Sequence, residues 1–231
     1  MRPFLIVLAG VNGAGKSSVL SALLLDAGLD WYNPDRYAAD LVRELGVTLG
    51  EANGRAWGYG KSLLEGAIAT RSNHAFETTL GGNTIARLLR KASKTHDVLM
   101  LYCGLASPEL HIARVAQRVA HHGHPIADEK IRERWITSRA NLIELLPVLS
   151  RLQVFDNSQS VKPGRDLPDP ALVLELDDGR VVFPDTQSRT ALAAVPAWAQ
   201  PILEAAIQLQ PPPRRSGEAG ARPPARAPRR R

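Results

Sequence analysis

The sequence predicts an α/β domain: a parallel sheet flanked by helices, followed by a C-terminal β-hairpin and a disordered Arg/Pro tail. Three observations predict it. Residues 3–9 are a continuous apolar run with β-branched members, the mark of a strand buried on both faces. A glycine-rich loop and a helical pattern follow, and this strand-then-helix order repeats, which implies parallel, doubly wound strands. Near the C-terminus, Asp177-Asp178-Gly179 separates two short apolar runs and signals a hairpin.

Taken in order, residues 10–15 read as a loop and 16–27 as a helix. Residues 29–32 are a short second strand. Residues 36–46 and 51–71 are helical, although Gly54, Gly58 and Gly60 weaken the second. Residues 74–79 form a third strand, 83–93 a helix, and the strongly apolar 97–105 a fourth strand. Ser107-Pro108-Glu109 opens a helix, with Ser as N-cap, Pro in the first position and an acid in the first turn. On that helix Ile112, Val115, Ala116 and Val119 share one face, and His111, Arg114 and Arg118 the other. A loop at 121–125, a helix at 128–146 and a fifth strand at 152–156 complete the first unit, residues 1–160. An extension, 161–210, holds the hairpin (172–176 and 180–183) and a short helix within 196–209.

Composition bounds the function. The chain has 231 residues, 44% hydrophobic and 23% charged, enough to bury a core without disulfide or metal staples. One cysteine, Cys103, excludes an internal disulfide framework and a cysteine zinc site, and it reads as a buried small hydrophobe. No apolar run is long enough to span a membrane, and 4–9 is too short for a signal-peptide core, so a cytoplasmic location is expected. Residues 211–231 hold seven arginines and one glutamate, a charge of +6 that equals the net charge of the whole chain. The basic character therefore belongs to a tail expected to be disordered, which can touch nucleic acid or acidic surfaces, and the rest is neutral.

The chemistry lies in Gly10-Val11-Asn12-Gly13-Ala14-Gly15-Lys16-Ser17, a phosphate-binding G-x-x-x-x-G-K-[ST] loop between a buried strand and a helix. Its glycines let backbone N–H groups point at phosphate oxygens. Lys16 can reach the β- and γ-phosphates of ATP, and Ser17 can ligate Mg²⁺. The position of a dinucleotide loop's third glycine is Ser18, which disfavours that reading. GTPase base-reading motifs are missing, and the apolar run Val98 to Cys103 ends in Gly104 with no carboxylate there. Asn33-Pro34-Asp35 follows the second strand, where Asp35 can take the proton of a hydroxyl attacking the γ-phosphate; its ordinary role would be a turn or helix cap. Phe76-Glu77-Thr78-Thr79 is a polar cluster at a strand end, suited to holding substrate hydroxyls. Arg114, Arg118, Arg132 and Arg134 flank a Gly-His-Pro loop as a lid, or form a solvated basic face. This is the fold and layout of a P-loop NTPase-type, kinase-like protein.

Together these pieces resemble the zeta-toxin family of P-loop kinases. The matching stretches are residues 9–18, Asn33-Pro34-Asp35, Phe76-Glu77-Thr78-Thr79-Leu80, Arg114-Val115-Ala116-Gln117-Arg118-Val119, Gly123-His124-Pro125-Ile126, Ile131-Arg132-Glu133-Arg134-Trp135 and Asp156-Asn157-Ser158. Val11 replaces a usual proline, and His122 a usual glycine. The resemblance implies ATP and Mg²⁺ as cofactors, with the loop Gly10 to Ser18 and Asn157 binding the nucleotide. It implies Asp35 as general base and Arg118 and Arg134 as lid arginines on the γ-phosphate, with Arg132 the alternative to Arg134. It implies Asn33, Glu77, Thr78 and Thr79 as the acceptor site. The family reaction is phosphorylation of UDP-N-acetylglucosamine at the 3′-hydroxyl of its sugar, and an antitoxin protein blocks the ATP site in toxin–antitoxin pairs.

Other readings use the same residues. A kinase of another small acceptor needs nothing different. A nucleic-acid end kinase would draw affinity from the arginine tail. A nucleotide-binding interaction protein would need no base at Asp35. His121, His122 and His124 are three imidazoles in four loop residues that cannot easily face one metal ion. Trp57 and Tyr59 can stack on a base, or simply pack a helix.

Overall fold

Phe4–Ala9 (β1) is an interior strand of one sheet, with a parallel partner on each side: His74–Thr78 (β2) and Asp97–Gly104 (β3). The computed structural model describes residues 2–17, 30–120, 125–159 and 169–209. Expectations for the helix beyond Ser17, for Ser18 and Leu29, for His121, His122 and His124, and for the tail at 211–231 lie outside these residues.

The sheet order is β2-β1-β3-β4-β5-β6, where β4 is Arg151–Asp156, β5 is Ala171–Asp177 and β6 is Arg180–Phe183. The first four are mutually parallel, as the strand–helix alternation predicts. The hairpin continues the same sheet, with β5 antiparallel to β4. Its two-residue turn, Asp178 and Gly179, has φ of 45° and 74°. Positive φ at both central residues matches the right-handed twist of the flanking strands, which is why Asp-Gly suits the site.

Over 30–32, the described part of the expected strand at 29–32, there is a single parallel bridge, Tyr32 to Phe76. The reason is local. Pro34 has no N–H to add to a ladder, and the Asn33 side chain accepts from Arg36 N at 3.0 Å, capping helix α1, Pro34–Leu45. Gly46 ends α1 in the left-handed conformation at φ 63°. Helix α2, Leu49–Thr70, opens on a reciprocal capping box between Thr48 and Glu51. Gly60 does not weaken α2 without return. A Cβ there would lie 2.4 Å from the Tyr32 ring, so the glycine lets Tyr32 lie against the helix.

Helix α3 is Asn83–Ala92, α4 is Pro108–Ala120 and α5 is Asp128–Leu145. Along α4 the buried residues are His111 and Val115, while Ala116 and Val119 are exposed. The apolar face expected from spacing is thus rotated. The helix packs Val115 on Val11 and Ile131, on the glycine-rich loop and α5, so an imidazole points inward. Two more short helices follow the hairpin: α6, Arg189–Ala193, which the sequence reading lacks, and α7, Gln200–Gln208. Ser188 caps α6, its hydroxyl accepting from Ala191 N at 3.2 Å.

The main core joins β1 and β3 with α5 and α7 through Leu5, Val7, Tyr102, Leu142, Leu145, Trp198 and Ile202, all buried. Trp198 ties the C-terminal segment to the sheet. A Cβ on Gly104 would lie 2.3 Å from its ring, and its Nε1 donates to Asp156 Oδ1 at 3.1 Å. No helix among the described residues is long and apolar enough to cross a membrane.

Truncating Trp198 should leave a large void under β3 and remove one of the donors to Asp156 Oδ1, which Ser158 also serves. Trp198→Ala is expected to lose about 3–5 kcal/mol of stability in urea unfolding. A loss below about 1 kcal/mol would mean the segment after the hairpin is not anchored there.

Candidate active site

The strand ends of β1, β2 and β3 gather at one edge, and the glycine-rich loop starts there. Gly10 has φ 138°, and a Cβ on it would lie 2.1 Å from the Cys103 carbonyl oxygen of β3. Gly13, at φ 81°, lies as close to α4: its Cβ would be 2.8 Å from the His111 carbonyl. Only glycine fits either place. Asn157 Nδ2 donates to the Ala14 carbonyl at 2.8 Å, and Cys103 Sγ approaches the same oxygen at 3.1 Å. His111 Nδ1 lies 2.8 Å from the Asn12 carbonyl, and Lys16 Nζ 3.4 Å from that of Val11. Engaging the loop carbonyls in this way is how a nest of N–H groups is held for an anion. Arg114 supports the nest indirectly. It donates to the carbonyls of Asn157 at 2.6 Å and Gln159 at 3.1 Å, holding the segment that carries Asn157 rather than reaching toward an acceptor.

His111 is buried and must donate from Nδ1, since a carbonyl only accepts. Its Nε2 is buried with no hydrogen-bond partner. Burial, abetted by the positive charges of Lys16 and Arg114, lowers its pKa to about 4. The ring is therefore neutral at pH 7. Burial likewise pushes the Cys103 thiol up to about 12, which makes it an inert core group as expected.

Of the predicted site residues, Asn12, Asp35, Glu77, Thr78, Thr79, Arg118 and Arg134 line one cleft of about 970 Å³, and Lys16, Ser17 and Asn33 meet it through Glu77. On the floor, Glu77 is buried. Its Oε1 lies 3.5 Å from Lys16 Nζ, and its Oε2 accepts from Ser17 Oγ at 2.9 Å and Asn33 Nδ2 at 2.8 Å. Thr78 and Thr79 line the cleft beside it. Leu80 turns the chain there with φ 53°, a conformation that costs about 1 kcal/mol for a residue with a side chain. Thr78 Oγ1 accepts from Leu80 N at 3.0 Å, and Asn141 of α5 donates to the Leu80 carbonyl at 2.8 Å, which holds the turn.

On the rim, Asp35 heads α1 and lies 3.6 Å from Arg118 of α4. Arg134 of α5 reaches over Gly81 and donates to Asn12 Oδ1 at 2.7 Å. Burial makes Arg134 easier to deprotonate, and Asp35 works against that. Of the two adjacent arginines, Arg134 lines the cleft, whereas Arg132 pairs with Glu109 on the surface. Helical spacing explains the choice: two residues apart on a helix point to different faces.

The far wall presents Tyr32, Trp57, Arg36 and Lys61, and Tyr37 and Tyr59 pack behind Tyr32. Tyr32, Tyr37 and Tyr59 form a cluster, with Tyr37 and Tyr59 stacked at 4.9 Å. Tyr32 donates to the Ala56 carbonyl at 2.6 Å, and burial raises its pKa to about 12. Tyr59 is thus a packing residue. Trp57 lines the cleft with 55% of its surface exposed, beside Arg36, Asn53 and Lys61. The sequence reading missed Arg36, Asn53, Lys61 and Asn141, whose residue types carry no local signal; they become visible only when α1, α2 and α5 meet.

No family model matches the chain. An uncharacterized protein of Haemophilus influenzae is 28% identical over 131 residues, covering 56% of this chain and 91% of its own length. Among solved structures, the AvrRxo1-ORF1:AvrRxo1-ORF2 complex with sulphate ions superposes with a TM-score of 0.58 at 16% identity, over 80% of this chain and 62% of that one. The same complex with ATP gives 0.55 at 17% identity, with the same coverage. The PezAT chromosomal toxin–antitoxin system of Streptococcus pneumoniae gives 0.50 at 19% identity, over 67% of this chain and 68% of that one. The chain has an α/β fold of kinase-like architecture, which it shares with the AvrRxo1 complex and the PezAT system. It spans 62% of the length of the AvrRxo1 chains it matches.

The neutral His111 gives the site an acid-sensitive component. Its folded pKa of about 4 lies below the ordinary 6.5, so the unfolded chain binds the proton first. The stability it contributes is complete above about pH 6.5 and is lost as pH falls toward 4, about 3 kcal/mol in all. In urea unfolding from pH 7 to pH 4.5, His111→Gln should flatten this loss. Equal slopes for the two chains would remove His111 as its cause.

Proposed function

We propose that the protein is an ATP- and Mg²⁺-dependent kinase that phosphorylates the 3′-hydroxyl of the sugar in UDP-N-acetylglucosamine. The observation that carries this reading is the convergence, on one cleft, of a phosphate-binding loop, an aspartate at a helix start and two arginines from facing helices. The loop and Lys16 hold the phosphates, and Asn157 keeps the loop in shape. Asp35 accepts the proton of the acceptor hydroxyl as its oxygen bonds to the γ-phosphorus. The bond to the bridging oxygen breaks, and ADP leaves with that electron pair. Arg118 and Arg134 face the charge that spreads over the transferring group.

The residues present suit a Mg²⁺–nucleotide. Among the described residues no cluster of three or more His, Cys, Asp or Glu forms a metal cage. Magnesium in such sites is bound through a loop hydroxyl, phosphate oxygens and water, and Ser17 supplies that hydroxyl. When bound, the ion neutralises charge on the phosphates.

The far wall supports a sugar nucleotide as acceptor. A largely exposed indole offers a face for a base, and Arg36 and Lys61 beside it suit a diphosphate. The resemblance assigns Asn33, Glu77, Thr78 and Thr79 to the sugar; Glu77, Thr78 and Thr79 line the cleft, and Asn33 reaches it through its hydrogen bond to Glu77. The same reading places the protein in the cytoplasm, and its partner, where one exists, is an antitoxin that covers the ATP site.

Label from γ-labelled ATP should appear on UDP-N-acetylglucosamine in a panel of UDP-sugars, free sugars and oligonucleotides. Lys16→Ala should abolish transfer, and Asp35→Asn should slow it by about 10²–10⁴ with ATP binding retained. An unchanged rate in Asp35→Asn would overturn the base assignment, and label on oligonucleotides alone would overturn the acceptor. Trp57→Ala should raise the KM for the UDP-sugar roughly tenfold while kcat stays near wild type. A change confined to kcat would remove the stacking role.

A further inference from the structure

Asn12 occupies one of the variable positions of the phosphate-binding loop, where the motif asks only for a backbone N–H. Yet the residue is buried, and both its polar ends are engaged. Its Oδ1 accepts from Arg134 Nη1 at 2.7 Å, across 122 residues of chain. Its carbonyl accepts from His111 Nδ1 at 2.8 Å. Asn12 is thus gripped from α4 through its backbone and from α5 through its side chain. The imidazole fixes the peptide, so the amide leaves the loop from a set place.

The path of Arg134 is prepared from the other side as well. Its stem crosses Gly81, where a Cβ would lie 2.7 Å from Arg134 Cγ. Two contacts hold α5 against that segment. Thr137 Oγ1 is 2.9 Å from the Gly81 carbonyl, and Asn141 Nδ2 donates to the Leu80 carbonyl at 2.8 Å. The glycine therefore sets the stem of the arginine, and the asparagine sets its tip. The kind of acceptor matters too. An amide oxygen is neutral, so it directs the guanidinium without cancelling its charge. The neighbouring arginines meet carboxylates instead: Arg118 lies 3.6 Å from Asp35, and Arg132 pairs with Glu109.

We propose that the Asn12 side chain is a positioning residue for Arg134. It ties the arginine to the phosphate-binding loop, so a nucleotide seated in the loop finds the guanidinium already aimed at its terminal phosphate. The N–H groups of the loop and the arginine then keep one register with the nucleotide. A misplacement of about 1 Å can cost roughly 10²-fold in rate, which is what such a tether prevents. The inference rests on the kinase reading above for the role of Arg134, and on the hydrogen bond between the two side chains for the role of Asn12.

Binding of a fluorescent ADP, with and without beryllium fluoride in the place of the terminal phosphate, tests it in the full chain. In wild type, beryllium fluoride should tighten binding. Asn12→Ala should shrink that gain about tenfold and leave ADP alone bound within about twofold of wild type. Arg134→Ala should lose at least as much. The double variant should lose no more than Arg134→Ala, because Asn12 acts only through the arginine. In turnover with ATP and UDP-N-acetylglucosamine, Asn12→Ala should lower kcat about 10–100-fold while the KM for ATP stays near wild type. A full beryllium fluoride gain in Asn12→Ala would overturn the inference, and so would additive losses in the double variant. If Asn12→Ala loses ADP binding itself, Asn12→Ser repeats the test with an oxygen too short to reach Arg134. Loss of ADP binding in both variants would make Asn12 a shaper of the loop and overturn the inference too. Wild type that binds ADP without a beryllium fluoride gain has no aimed arginine, which also overturns it. Wild type that binds no ADP would overturn the kinase reading, and this inference with it. If ADP binds but no UDP-sugar is phosphorylated, the acceptor proposed above fails, and the beryllium fluoride gain still decides Asn12.

Discussion

The close approach of Gly10 to the Cys103 carbonyl governs the rest of the molecule. With a Cβ excluded at 2.1 Å, the chain leaving β1 can turn tightly against β3. The loop is thereby pinned to the sheet instead of riding above it. Its carbonyls then meet fixed partners from three other elements: Cys103 on β3, His111 on α4, and Asn157 after β4. The positive φ angles of Gly10, Gly13 and Gly15 are what such a fit requires. A larger residue at Gly10 would move loop, helix and strand apart together.

Charge is the second constraint, and it follows from the first. Pinning the loop buries Lys16, and an ammonium cannot be buried without a partner. Glu77 supplies that partner from β2, the strand on the opposite side of β1 from Cys103. Burial, with lesser help from the positive charges of Lys16 and Arg114, keeps His111 neutral where its imidazole meets the Asn12 carbonyl of the loop. Arg134 keeps its charge at the rim, with Asn12 and Asp35 as its polar surroundings. The floor is thus electrically balanced and rigid, and the ionic groups able to change partners stand at the rim.

The hairpin and α7 complete this design from the far side. β5 and β6 widen the sheet beyond β4, and Trp198 fills the space over Gly104. Its indole N–H holds Asp156, the residue before Asn157, so the nucleotide loop is braced through the C-terminal segment as well as through Arg114. A segment with no motif of its own thereby acts on the site through two hydrogen bonds.

Sequence alone determined those features whose causes reach over a few residues. The buried strand of β1, the phosphate-binding loop, the Asn33-Pro34 helix start and the Asp178-Gly179 turn each follow from neighbours in the chain, because capping, turn chemistry and side-chain periodicity are short-range. Sequence also marked Asp35, Glu77, Arg118 and Arg134, by spacing and by resemblance. What it could not decide was which partner each would face. Ser17 meets Glu77 across 60 residues, Arg134 meets Asn12 across 122, and Asn157 meets Ala14 across 143. Those pairings exist because parallel strands bring their C-terminal ends to one edge of the sheet. The same long-range packing turned His111 inward against the periodicity of its helix and left one bridge, at Tyr32, in the described part of an expected strand. It placed Glu77 under the phosphate-binding loop, where its three partners are Lys16, Ser17 and Asn33. Only a folded sheet assembles that geometry, since no local rule links residues so far apart in the chain.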